Sequence, residues 1–168
     1  LMKTFKQYIS EKTSSVDRIR RMSKKIKPTV TKTSDDHDSY FHDRKIGRHQ
    51  VNMAAHHDTK RNTSKVDFSV DDEGTARTGK VGAKRAKRIL NHVASFVHRH
   101  AKDMRSKNPD GNHTIQFDAH KASHHHRNPK ARANVYRKMT TRVAKKLGMK
   151  HSEVDHGHKT TFTLSHQD

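Results

Sequence analysis

The chain of 168 residues carries 37 Lys or Arg against 17 Asp or Glu, a formal charge of +20, and only 29% of it is hydrophobic and 5% aromatic. That length suits one domain plus a tail, and a surface so basic calls for a polyanion: nucleic acid first, then an anionic membrane or an acidic protein. Cysteine is absent, which excludes disulfides and thiolate zinc sites, and no apolar run approaches the ~20 residues of a membrane-spanning helix, so a soluble intracellular product or a virion component is expected, with no membrane partner.

Residues 1–11 form a short amphipathic segment without the apolar stretch of a secretory signal. Residues 12–34 hold eight Lys or Arg against the single Asp17, broken by Pro28 and many Ser and Thr. Apolar residues are sparse over 12–48, so this stretch is expected to be a basic, mostly disordered arm, with little burial to offset chain entropy. An α/β domain is expected over residues 49–168. Val51, Met53 and Ala55 alternate, as do Val66, Phe68 and Val70, around the polar spacer Asp58 to Ser64, which predicts a β-hairpin.

The clearest helix follows Gly79-Lys80-Val81-Gly82-Ala83. Ala86, Ile89, Leu90, Val93, Phe96, Val97 and Ala101 recur at helical spacing, so one stripe is buried, and no acid occurs between Lys80 and Lys102. Asn108-Pro109-Asp110-Gly111 stops it. Ile115, Phe117 and Ala119 predict a third strand. Pro129 opens a second helix with the stripe Val135, Tyr136, Met139, Val143 and Leu147, closed by Gly148, and Phe162 and Leu164 mark a last strand. The expected class is therefore α/β (α+β): a small mixed sheet with two amphipathic helices in β-β-α-β-α-β order, including a right-handed β-α-β crossover.

Few motifs carry chemistry. The glycines before the first helix can turn backbone N–H groups toward a phosphate, or simply make a tight turn, but neither a P-loop nor a dinucleotide fingerprint is present. There is no nucleophile elbow and no His-Glu-x-x-His. His120, His124, His125 and His126 share one loop and His156 and His158 another. Adjacent loop histidines do not by themselves converge on one tetrahedral point, so no metal site is assigned. The 17 histidines can instead serve as positive charge that turns on below their reference pKa of about 6.5. Residues 121–152 hold ten Lys or Arg and no acid, with Lys138, Arg142 and Lys145 on one helical face, a row suited to tracking phosphates. With no Trp, stacking on single strands is not indicated. Sequence-independent DNA contact is expected through Lys24, Lys25, Lys27, Lys84, Arg85, Arg88, Arg137, Lys138, Arg142 and Lys145.

Two resemblances add to this reading. Met2, Lys3, Thr4, Phe5, Tyr8 and Ile9, with Glu11 two residues after Ile9, resemble the capsid-targeting peptides of internal head proteins from large contractile-tailed phages. That resemblance implies cleavage after Glu11, with Ile9 and Glu11 as processing residues, and passage from host cytoplasm to virion interior among capsid or other virion proteins. Separately, Arg77-Thr78-Gly79-Lys80-Val81-Gly82 between a strand and a helix, followed by Asn128, Ala131 and Tyr136, resembles the second half of the GNAT acetyltransferase fold. It implies acetyl-CoA held at Val81, Gly82 and Ala83, with Tyr136 protonating the departing thiolate. The first loop glycine of that family is replaced by Lys80, and the spacing to Tyr136 is one residue long, which puts the activity in doubt. The leading expectation is an internal virion protein that neutralises phosphates without a cofactor. An acetyltransferase, or a virion component docking acidic capsid or tail proteins, stands as the alternative.

Overall fold

In the computed structural model, which describes residues 17–71, 83–120 and 129–166, alternating sequence builds a seven-stranded sheet. The strands are β1 (Thr29–Ser34), β2 (His37–Ile46), β3 (His49–Asp58), β4 (Thr63–Val70), β5 (Thr114–His120), β6 (Met149–Asp155) and β7 (Lys159–His166), in the order β1-β2-β3-β4-β5-β7-β6. Neighbours pair antiparallel except β4 and β5, which run parallel and are joined through helix α2 (Ala83–Lys107). Helix α3 (Pro129–Leu147) carries the chain from β5 to β6, and a short helix α1 spans residues 17–25.

One face of the sheet is covered and the other is open. Val51, Met53 and Ala55 on β3, Val66, Phe68 and Val70 on β4, Ile115, Phe117 and Ala119 on β5, and Phe162 and Leu164 on β7 are all buried. They meet Ile89, Val93, Phe96 and Val97 of α2 and Tyr136, Met139 and Val143 of α3 in one apolar cluster. Most residues of the other face, such as Asn52, Lys65, Asp67 and Gln116, are polar, because a two-layer arrangement leaves that face to water; Phe41 and Ala54 are exceptions. Gly148 follows α3 with φ +63°, the left-handed turn that releases the chain directly into β6.

The expected hairpin is β3–β4: Met53 faces Phe68 and Ala55 faces Val66, and the Asp58 carboxylate accepts the N–H groups of Lys60 and Arg61 in the turn. The expected helices and the strands 115–119 and 162–164 also form. Other expectations are corrected. Residues 17–46 are folded, not a disordered arm, because Ile19, Ile26, Tyr40 and Ile46, each at most 4% exposed, anchor them in the same core. The described residues therefore contain three helices, and four strands precede α2 where two were expected. Of the three missed strands, β2 carries only the scattered anchors Tyr40 and Ile46, while β1 and β6 give no apolar alternation: every residue of β1 and six of seven in β6 are exposed, and backbone pairing holds both.

Candidate nucleic-acid interface

The charge of the chain is sorted by element. The three helices carry twenty Lys or Arg and two Asp, whereas the seven strands carry six Lys or Arg and seven Asp or Glu. This follows from the pattern of α2 and α3, whose apolar stripes face the sheet and whose charged residues, Asp103 apart, are all cationic.

Where the helices converge they enclose a groove of about 960 Å³. Its cations are Arg20 of α1, Lys102 and Arg105 of α2, and Arg142, Lys145 and Lys146 of α3, with Ile19, Ala101, Leu147 and Met149 forming apolar ground between them. No carboxylate lines it among the described residues. Lys102 and Arg105 lie three apart, and Arg142, Lys145 and Lys146 three and four apart, so each set shares a helical face. Arg142 also reaches Asn91 Oδ1 at 3.4 Å.

The groove's field acts on its own titratable groups. His98 is 5% exposed, and burial, then Lys102, Lys146 and Arg20, lower its pKa to about 4. Burial, then Arg20, also lowers the pKa of Lys146, opposed by Asp17. Repulsion among cations that the site itself does not offset is relieved by an incoming anion.

The expected contact residues divide. Arg142 and Lys145 line the groove, and Lys138 is exposed on the same helix. Lys24, Lys25 and Lys27 are exposed at and just past the end of α1. Lys84, Arg85 and Arg88 are exposed on the first turns of α2, where Arg44 and Arg88 join burial in lowering the pKa of His92 to about 4. Arg137 is turned away from this role: its guanidinium donates to both Glu153 carboxylate oxygens at 2.8–3.2 Å. Arg20, Lys102, Arg105 and Lys146 were not singled out from sequence, although Arg105 and Lys146 continue the basic runs of their helices.

Tyr136 is 2% exposed and packs against the rings of Phe68, Phe117 and Phe162, as a core aromatic does. Ala83 opens α2, while Ile9, Glu11, Val81, Gly82 and the histidines 124–126 lie outside the described residues.

The histidines do not act as one reserve of charge. Burial lowers the pKa of His42, His57, His92, His98, His100 and His113, His100 to about 3 and His113 to about 4, so these six stay neutral in the folded chain at neutral pH. Three of them, His57, His100 and His113, each place one ring nitrogen within 4.8 Å of the others, a cluster that could hold a metal ion. Their ring nitrogens surround Ser64 Oγ at 2.9, 2.7 and 2.8 Å respectively. Of the histidine-rich loops, His156 and His158 are described, and both are exposed at the β6–β7 turn.

No family model, curated protein or solved structure matches this chain.

Proposed function

We propose that the protein binds nucleic acid without sequence preference, using its helix layer to neutralise phosphates. The observation that carries this reading is the sorting of charge: twenty Lys or Arg against two Asp on the helices, converging on a groove lined by six cations. A cationic groove with apolar ground and no carboxylate suits a phosphate backbone, to which Arg offers paired donors and Lys a mobile point charge. The setting we propose, a phage virion interior beside capsid proteins, rests on the resemblance of residues 2–11 alone.

Titration against a random-sequence DNA duplex at several salt concentrations tests the reading. Six to ten phosphate contacts predict a loss of roughly 10³–10⁵ in affinity between about 50 and 200 mM salt. A flat salt response contradicts it. Tight binding instead to acidic virion proteins, seen as retention on particles emptied of DNA, would make the same surface a protein-docking face.

One observation favours a second reading, acetyl-CoA binding. β4 and β5 pair in parallel only from Thr63–Thr114 to Lys65–Gln116, although both strands continue, so the sheet leaves their later backbone groups unpaired with one another. An extended ligand could lie at such a divergence, and the GNAT resemblance assigns its phosphate contacts to Val81, Gly82 and Ala83. Calorimetry with acetyl-CoA decides this: heat abolished by a bulky residue at Gly82 supports it, and no heat at millimolar ligand argues against it.

A further inference from the structure

The inward side of the sheet carries polar residues at one end, where they are hardest to accommodate. His57 continues the buried alternation of β3, Ser64 that of β4, and His113 that of β5, while His100 continues the buried stripe of α2. All four are at most 6% exposed. Four segments distant in sequence therefore deliver three imidazoles and a hydroxyl to one place.

Ser64 alone accounts for part of this arrangement. A hydroxyl has one proton and two lone pairs, so it can answer three ring nitrogens if two imidazoles donate and the third accepts. The remaining nitrogens are less well served, since His100 Nδ1 and His113 Nδ1 are buried with no hydrogen-bond partner. Those two nitrogens lie on the far side of each ring from Oγ, and an ion at the meeting point would leave them as they are, but a serine hub gives no reason to bury three imidazoles rather than one. Metal coordination does, because it recovers energy from each convergent nitrogen.

We propose that His57, His100 and His113 form a buried zinc site, with the Ser64 hydroxyl as its fourth, oxygen ligand. The donor set selects a transition ion over Ca²⁺ or Mg²⁺, and a tetrahedral geometry points to zinc among them. Three imidazole nitrogens and an oxygen in tetrahedral array suit Zn²⁺, whereas Ca²⁺ and Mg²⁺ require shells of oxygen. Zn–N bonds of about 2.0–2.1 Å place tetrahedral nitrogens roughly 3.4 Å apart. The present separations, up to 4.8 Å, contract to that as the ion takes the meeting point and Oγ draws back. Burial on all sides makes the site structural, a clasp joining β3, β4, α2 and the start of β5.

The test uses the full chain, freed of metal by a chelator and then given Zn²⁺ or Co²⁺ alone. The site predicts one ion per chain, a higher Tm with zinc, a tetrahedral cobalt spectrum, and X-ray absorption showing three imidazole nitrogens at about 2.0–2.1 Å. His113→Ala should weaken binding by more than the roughly 10–100-fold typical of losing an outer-shell partner. Replacing His124, His125, His126, His156 and His158 together with Gln should leave the ion bound. Because His113→Ala could impair folding, the loop variant and the wild-type absorption spectrum carry the decision. Loss of the ion in the loop variant, a water-rich six-coordinate spectrum, or no uptake at micromolar zinc would overturn the proposal.

Discussion

The helix layer and the open face of the sheet are both solvent surfaces, yet they handle charge in opposite ways. On the open face, acids and bases are nearly balanced and meet each other: Asp118 accepts from Lys159 at 3.2 Å and from Thr161 at 2.7 Å. On the helix layer only Asp17 and Asp103 are acidic, and Asp103 is taken by Arg99 at 3.0 Å. A solvated surface needs no such imbalance, and self-repulsion works against the compact state. The imbalance is intelligible if this surface spends its working life against a polyanion.

The comparison can be sharpened first at the sheet, where the effect is largest. Phe68 faces the helices at 4% exposure and Phe41 lies on the opposite face at 40%. Phe68→Ala should cost about 3–5 kcal/mol in chemical denaturation, and Phe41→Ala about 1 kcal/mol or less. Equal costs would mean that the two-layer description is wrong.

Next comes the charge itself. Neutralising Lys102, Arg142 and Lys145 with Gln should flatten the log–log salt dependence of DNA binding by about 0.9 for each phosphate that is no longer neutralised. The matched substitution of Lys32, Lys65 and Lys150, all on strands, should leave the slope unchanged. If the two triple variants behave alike, only net charge matters and the groove has no special role.

A smaller effect concerns pH. His92 and His98 have folded pKa values of about 4 against an ordinary 6.5. Above pH 6.5 both are neutral, folded or unfolded, and their contribution is fully present. Between pH 6.5 and about 4 the unfolded chain takes up protons that the native chain refuses, so stability falls as pH falls. Tm should therefore drop across that window, and His98→Asn should shallow the drop; a Tm that rises on acidification would contradict the burial of these rings. The least effect is expected at Arg137, already engaged by Glu153: Arg137→Gln should change DNA affinity far less than Arg142→Gln in the same titration.

Legibility in the sequence followed burial. Where one face of an element is apolar, as in Val51-Met53-Ala55, Val66-Phe68-Val70 and the stripe from Ile89 to Ala101, period alone located it. β1 and β6 lie at the two sheet edges, are held by backbone pairing and expose nearly every side chain, so hydropathy had nothing to report. The folded state of residues 17–46 depends on a few anchors, Ile19, Ile26, Tyr40 and Ile46, each isolated among polar residues. The groove was half legible: Arg142 and Lys145 stand out on α3, but Arg20 and Lys102 become partners only when α1 packs beside α2. For the histidines, abundance misled. The signal lay in parity, since His57, His100 and His113 each extend an inward-facing apolar series, whereas the conspicuous runs at 124–126 and 156–158 continue no such series in the sequence.

The central claim, that the helix layer is the polyanion-binding surface, is tested most directly by lysine-reactivity footprinting. The protein would be labelled with and without a random-sequence DNA duplex, and each lysine followed by mass spectrometry. The account predicts protection of Lys102, Lys145 and Lys146, with Lys32, Lys65 and Lys150 unchanged. Protection of the strand lysines, with the groove lysines still reactive, would contradict it.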